Sequence, residues 1–106
     1  MTSRPPRPDP EVTTPLLDIG EGIGAVVVYL DGSPARDEIV AAPEDRPADR
    51  FHTGVHPLVT SGGTVQVAVF SEVAEGGYVL LDDDGSPLTV VRVAGGRVTE
   101  VDLRRP

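Results

Sequence analysis

Short valine-rich runs, each closed by Gly, Pro, Asp or Ser, follow one another from residue 16 to the end of the chain. They recur about every ten residues, the spacing of strands joined by tight turns. Valine's β-branch stiffens the side chain and favours extended backbone. The runs place strands at residues 24–30, 36–42, 51–60, 64–70, 78–81, 88–93 and 97–103, with 16–19 as a further edge strand. Turns fall at Asp31-Gly32-Ser33-Pro34, Ser61-Gly62-Gly63, residues 82–87 and Gly95-Gly96, where glycine supplies positive φ. Residues 43–47 read as an acidic loop and 71–77 as a second loop. Gly54 and Pro57 interrupt the 51–60 run. Residues 64–70 alternate strictly: Val65, Val67 and Val69 on one face, Thr64, Gln66 and Ala68 on the other, the pattern of a half-buried strand. The expectation is an all-β chain, a single seven-stranded antiparallel β-sandwich over residues 16–104. Asp-Gly-Ser-Pro occurs at 31–34 and again at 84–87, which good hairpin chemistry explains without an internal repeat.

Ahead of this domain, Pro5, Pro6, Pro8, Pro10 and Pro15 fall within residues 1–15. Proline removes a backbone donor and fixes φ, so this segment reads as a disordered Pro-rich tail. The whole chain has 106 residues, enough for one modest core. Only 4% of it is aromatic, so that core must be aliphatic, with Tyr29, Phe51, Phe70 and Tyr78 its only large rings. The net charge of −8 argues against binding nucleic acid or anionic membranes, which need concentrated basic surface. With no cysteine there is no disulfide, thiolate nucleophile or Cys-ligated metal. The longest apolar run, 25–30, is too short to cross a bilayer, and residues 1–15 lack the apolar segment of a secretory signal, so a cytoplasmic location is expected. The bias toward Val, Ala, Gly, Arg, Asp and Pro, without Lys or Asn, is that of a GC-rich bacterial genome.

Asp18-Ile19-Gly20-Glu21-Gly22-Ile23 resembles the opening of lipoyl-carrier domains, which hold their cofactor on a lysine. The chain has no lysine, and arginine supplies no primary amine for that link, so no cofactor is expected. The same glycines do not make a dinucleotide cradle, because the strong strand follows them instead of preceding them. They read instead as a flexible lead-in to the 24–30 strand. His52 and His56 are the only histidines. Four residues apart on a strand they share a face but sit about 13 Å apart, too far for one ion. They are weak metal candidates, and with Asp49 or a turn acid they form the alternative reading of a metal-binding or small hydrolytic protein. Asp82-Asp83-Asp84-Gly85 lacks the spacing of a calcium loop. No Gly-x-Ser-x-Gly nucleophile motif is present.

Phe70-Ser71-Glu72-Val73-Ala74-Glu75-Gly76-Gly77-Tyr78 resembles a passage of transthyretin-like and carboxypeptidase regulatory-like β-sandwiches. In that family a strand ends in an apolar residue, a loop drops a second apolar residue into the core, and Gly frees the chain to begin the next strand with Tyr. The final run, Gly96-Arg97-Val98-Thr99-Glu100-Val101-Asp102-Leu103, also resembles the family's last strand. The resemblance implies a transthyretin-like or Ig-like fold and says little of activity. The chain also resembles a group of small uncharacterised actinobacterial proteins. The functional expectation is a non-catalytic accessory module with a protein partner. Its contact surfaces would be an open sheet edge and the segments around Phe51, His52, Glu72 and Val73.

Overall fold

The computed structural model describes residues 22–33 and 35–104, and the backbone of 11–15. Eight strands carry the described chain: β1 Glu11–Pro15, β2 Ile23–Asp31, β3 Glu38–Pro43, β4 Phe51–Thr60, β5 Gly63–Ala74, β6 Gly76–Leu81, β7 Pro87–Val93 and β8 Arg97–Asp102. A single 3-10 turn, Pro47–Asp49, precedes β4. The chain is all-β, as its valine-rich runs require. The strands form one sheet in the order β1-β8-β2-β5-β4-β3-β6-β7, curled so that it nearly closes into a barrel.

Two features depart from an antiparallel sandwich. Strand β8 runs parallel to β2, from Ala25 opposite Val98 to Tyr29 opposite Asp102, so the sheet is mixed. The sheet is also continuous, because β4 changes partner along its length. Phe51 to Gly54 pair with β3, and Val55 to Thr60 pair with β5. The change falls between Gly54 and Val55, where the Val55 amide donates to the Asp37 carbonyl at 3.0 Å. Beyond it β4 has β5 alone as partner, which accommodates Pro57 on an open edge. The two residues expected to interrupt the strand therefore mark its corner and its free edge.

Strand β5 is longer than its alternation suggested. Residues 71–74, expected in a loop, continue the ladder through a β-bulge. Gly24 pairs with Val73 and Val26 with Phe70, so Ala25 alone faces Ser71 and Glu72. The extra residue lets Phe70 and Val73, three apart, both enter the core. The buried face of β5 is Gln66, Ala68, Phe70 and Val73. The all-valine face turns outward, with Val69 46% exposed. Phe70 decides this: a ring of that size gains more from burial than a valine does.

The core gathers Val26, Val28, Leu30, Ile39, Ala41, Ala68, Phe70, Val73, Tyr78, Leu80, Val91, Val93 and Val101. Gln66 is buried among them. Its Nε2 donates to the Asp31 carbonyl and its Oε1 accepts from the Arg36 amide at 2.8 Å. Both ends of the β2–β3 connection are thus fastened to β5. The Arg36 Nε donates to both carboxylate oxygens of Asp82 at 3.0 Å, tying that connection to the β6–β7 turn.

The glycines of the lead-in have separate tasks. Gly22 takes φ +71°. A Cβ on Gly24 would stand 2.5 Å from the Ala94 carbonyl oxygen and 2.9 Å from that of Arg97. The Gly96 amide donates to the Ile23 carbonyl at 2.7 Å. The β7–β8 turn therefore rests on the start of β2, and this contact draws the β7 margin of the curled sheet toward β2.

Part of the segment expected as a tail is a strand. Glu11–Pro15 forms an edge strand antiparallel to β8, a position where proline is tolerated. Residues 1–10 and the expected 16–19 strand lie outside the described residues.

Candidate functional site

Phe51, His52 and Glu72 come together. With Thr53, Val69, Phe70 and Ser71 they line a shallow cleft of about 190 Å³ between β4 and the bulge of β5. The cleft is built outward from the core. The Phe51 ring meets Phe70 edge-on at 5.5 Å and Tyr78 at 5.8 Å, so its position is fixed by two buried rings. The Thr53 hydroxyl donates to the Val69 carbonyl at 2.8 Å, holding β4 against β5 below the cleft. The bulge turns Ser71 and Glu72 outward together. Val73, grouped with Glu72 from the sequence, is 2% exposed and packs in the core instead.

The histidines do not share a site. His52 Nδ1 lies 3.0 Å from Glu38 Oε2 on β3, in an exposed pair. His56 is exposed two residues past Gly54, opposite Val67. Asp49 faces Arg46 at 3.7 Å. Among the described residues, three metal-type ligands come together only at Asp82, Asp83 and Asp84. Two of them are already engaged: both Asp82 oxygens accept from Arg36, and Asp84 Oδ1 accepts from the amide and hydroxyl of Ser86. Those Ser86 bonds favour the ionised form and hold the Asp84 carboxyl below its ordinary range. The triad is a closed hairpin turn.

A second cleft, of about 300 Å³, is lined in part by Glu44, Arg46, Glu75, Tyr78 and Arg92. No local motif announces it, since its residues come from three separate segments. Tyr78 donates its hydroxyl to the Ala74 carbonyl at 2.5 Å. Burial raises the Tyr78 phenol above its ordinary value, Asp45 adds to the rise, and Arg46 opposes it. Its lining includes three acids, Glu44, Asp45 and Glu75, and two arginines, Arg46 and Arg92.

The outward face of β2, β5 and β4 carries a further feature. Cross-strand partners share a face, so Val27 stands beside Val69, and Leu58 beside Val65. Val67 lies between Val65 and Val69 along β5, with His56 opposite it on β4. Leu58 is 48% exposed. Glu100 of β8, opposite Val27, forms the charged rim on one side. The sequence signal for this face is the absence of Asp, Glu and Arg from residue 51 to 71.

No protein-family model, curated protein or solved structure matches this chain. Among the described residues, no helix is long and apolar enough to cross a membrane.

Proposed function

We propose that this chain is a non-catalytic accessory module that docks onto a larger bacterial protein in the cytoplasm through the Phe51–Glu72 cleft. The observation that carries the reading is the construction of that cleft: an aromatic floor locked to the core, opened by a bulge, with Glu72 at its lip. Core-anchored aromatics are the residues that carry binding energy at protein interfaces, because little entropy is lost when they are covered. The occupant that fits is an extended segment with an apolar side chain beside a Lys or Arg. The apolar group would cover Phe51, and the cation would meet Glu72 on a chain of net charge −8. The core placement of Phe70, Val73 and Tyr78 supports a transthyretin-like kinship for this segment.

The test compares the immobilised wild-type chain with Glu72→Arg and Ser71→Arg in native bacterial extract, with retained proteins identified by mass spectrometry. Both positions are exposed, so the variants should keep the wild-type melting midpoint. One protein held by the wild type and lost by both variants, with loss also at raised salt, is the expected result. An identical retained set for all three chains would overturn the reading.

A further inference from the structure

We infer that Pro57 is a guard on the open edge of β4, where it stops a strand of a second copy from adding to the sheet. This edge is separate from the docking cleft, and the role of Pro57 does not rest on that reading. Register places the proline. Ser61-Gly62 is a two-residue turn joining Thr60 to its partner Gly63. Residues flanking such a turn bond to each other, and bonding then alternates along an antiparallel pair. His56, Leu58 and Thr60 therefore turn their backbone groups to β5, and Val55, Pro57 and Val59 turn theirs away from it. The Val55 amide fixes the phase, since it donates to the Asp37 carbonyl, on the side of β3. Pro57 thus takes no hydrogen bond from the β4–β5 ladder. Its missing N–H falls on the open edge instead, past the part of β4 that β3 covers.

Charge gives that edge no protection. Open edges are commonly blunted by charged side chains, lysine above all, or by proline. The chain has no lysine, and residues 51–71 hold no Asp, Glu or Arg. The two end strands of the sheet differ, with Glu11 on β1 and Arg92 on β7. Near the free end of β4, Leu58 is 48% exposed and Val59 is 80% exposed. Consecutive residues of a strand point to opposite faces. A strand laid along this edge would therefore meet apolar side chains on both faces, the composition of segments that pair with themselves.

The backbone is what refuses it. Of the two positions that face the open edge beyond Val55, only Val59 keeps an N–H. Two copies can meet edge to edge with Pro57 of each opposite Val59 of the other. They then form half of the bonds that an N–H at position 57 would allow. The Val59 carbonyl facing each proline ring finds no donor, and an acceptor left unpaired on association opposes it.

Pro57→Val tests this, read by sedimentation equilibrium over a wide range of concentration. Valine suits a strand, so the melting midpoint should equal or exceed that of the wild type. The variant should rise above the monomer mass of 11.1 kDa at a concentration about ten-fold or more below any at which the wild type does, because a donor returns on each of two copies. Moving the proline to the next edge-facing position, in Pro57→Val with Val59→Pro, should restore the wild-type mass curve. A Pro57→Val chain that keeps the wild-type curve overturns the inference, and so does an association that Val59→Pro leaves in place. Circular dichroism melts confirm that each variant is folded, and Pro57→Thr replaces Pro57→Val should the latter not fold. Amide hydrogen exchange of the wild type checks the register without any substitution. The Leu58 amide, bonded to β5, should exchange about ten-fold or more slowly than the Val59 amide. Equal exchange at the two would overturn the edge assignment, and the guard with it.

Discussion

Thr99 is fully buried on β8, opposite Val26 of β2, and its hydroxyl finds no hydrogen-bond partner among the described residues. A hydroxyl taken from water without replacement bonds costs about 1–3 kcal/mol. Valine has nearly the same shape and the same preference for strands. Thr99→Val should therefore remove the cost without opening a cavity, and stabilise the fold by about 1–2 kcal/mol. For a domain of this size each kcal/mol moves the melting midpoint by about 4–8 °C, so a rise of at least about 4 °C is expected. The assay is urea unfolding followed by circular dichroism, with the midpoint increasing and the slope unchanged. Thr99→Ser is the control: it keeps the hydroxyl and removes a methyl, and should cost about 1 kcal/mol. If Thr99→Val lowers the midpoint, the hydroxyl makes a bond that matters, and its burial on β8 carries no such cost.

Three other substitutions probe how the sheet is held together. Gly24→Ala puts a methyl against the backbone oxygens of Ala94 and Arg97, which cannot swing aside as a side chain would. It should cost about 1–3 kcal/mol, measured by the same urea assay, and a neutral result would show that the β7–β8 turn does not press on β2. Gln66→Leu strands the Arg36 amide and the Asp31 carbonyl. Destabilisation by about 2 kcal/mol or more, with faster amide exchange at Arg36, is expected, and unchanged exchange would contradict the clamp. The Tyr78 phenol is raised above its ordinary value of 10.0 by burial. Its neutral form is the one the fold favours, so stability is full below pH 10 and falls as pH rises through the folded-state value. Tyr78→Phe removes this proton linkage and should flatten the alkaline loss of stability, and a curve as steep as wild type would rule out Tyr78 as its source.

What was legible in the sequence was local, and what was hidden was pairing. Strands 24–30, 78–81, 88–93 and 97–103 fall where valine-rich runs and turn glycines put them, within a residue or two of the observed ends. Turn chemistry is encoded in adjacent residues, so Gly85 and Gly96 could be placed, and both take positive φ. The parallel pairing of β2 with β8 joins residues more than seventy positions apart, and no local pattern carries that choice. Alternation showed two faces on β5 without showing which one is inside. Three valines lie on one side, yet one phenylalanine at the end of the opposite face outweighs them. The bulge was hidden for a related reason. Under strict alternation Val73 falls on the outward face with Val69, and only the extra residue opposite Ala25 returns it to the core. The candidate site follows from that same event. Glu72 reaches the surface beside Phe51 and His52 because the bulge carries it there, so the residues could be named from the sequence while their meeting depended on the register of β2 against β5. The lead-in makes the complementary case. Gly22 belongs to the stretch that resembles a carrier motif and Gly24 follows it, and what they supply is backbone: a left-handed turn at Gly22, and at Gly24 a gap through which the β7–β8 turn reaches β2. The steric demand thus falls just past the shared motif, since any fold that brings a strand start this close to a turn needs a residue without a Cβ there.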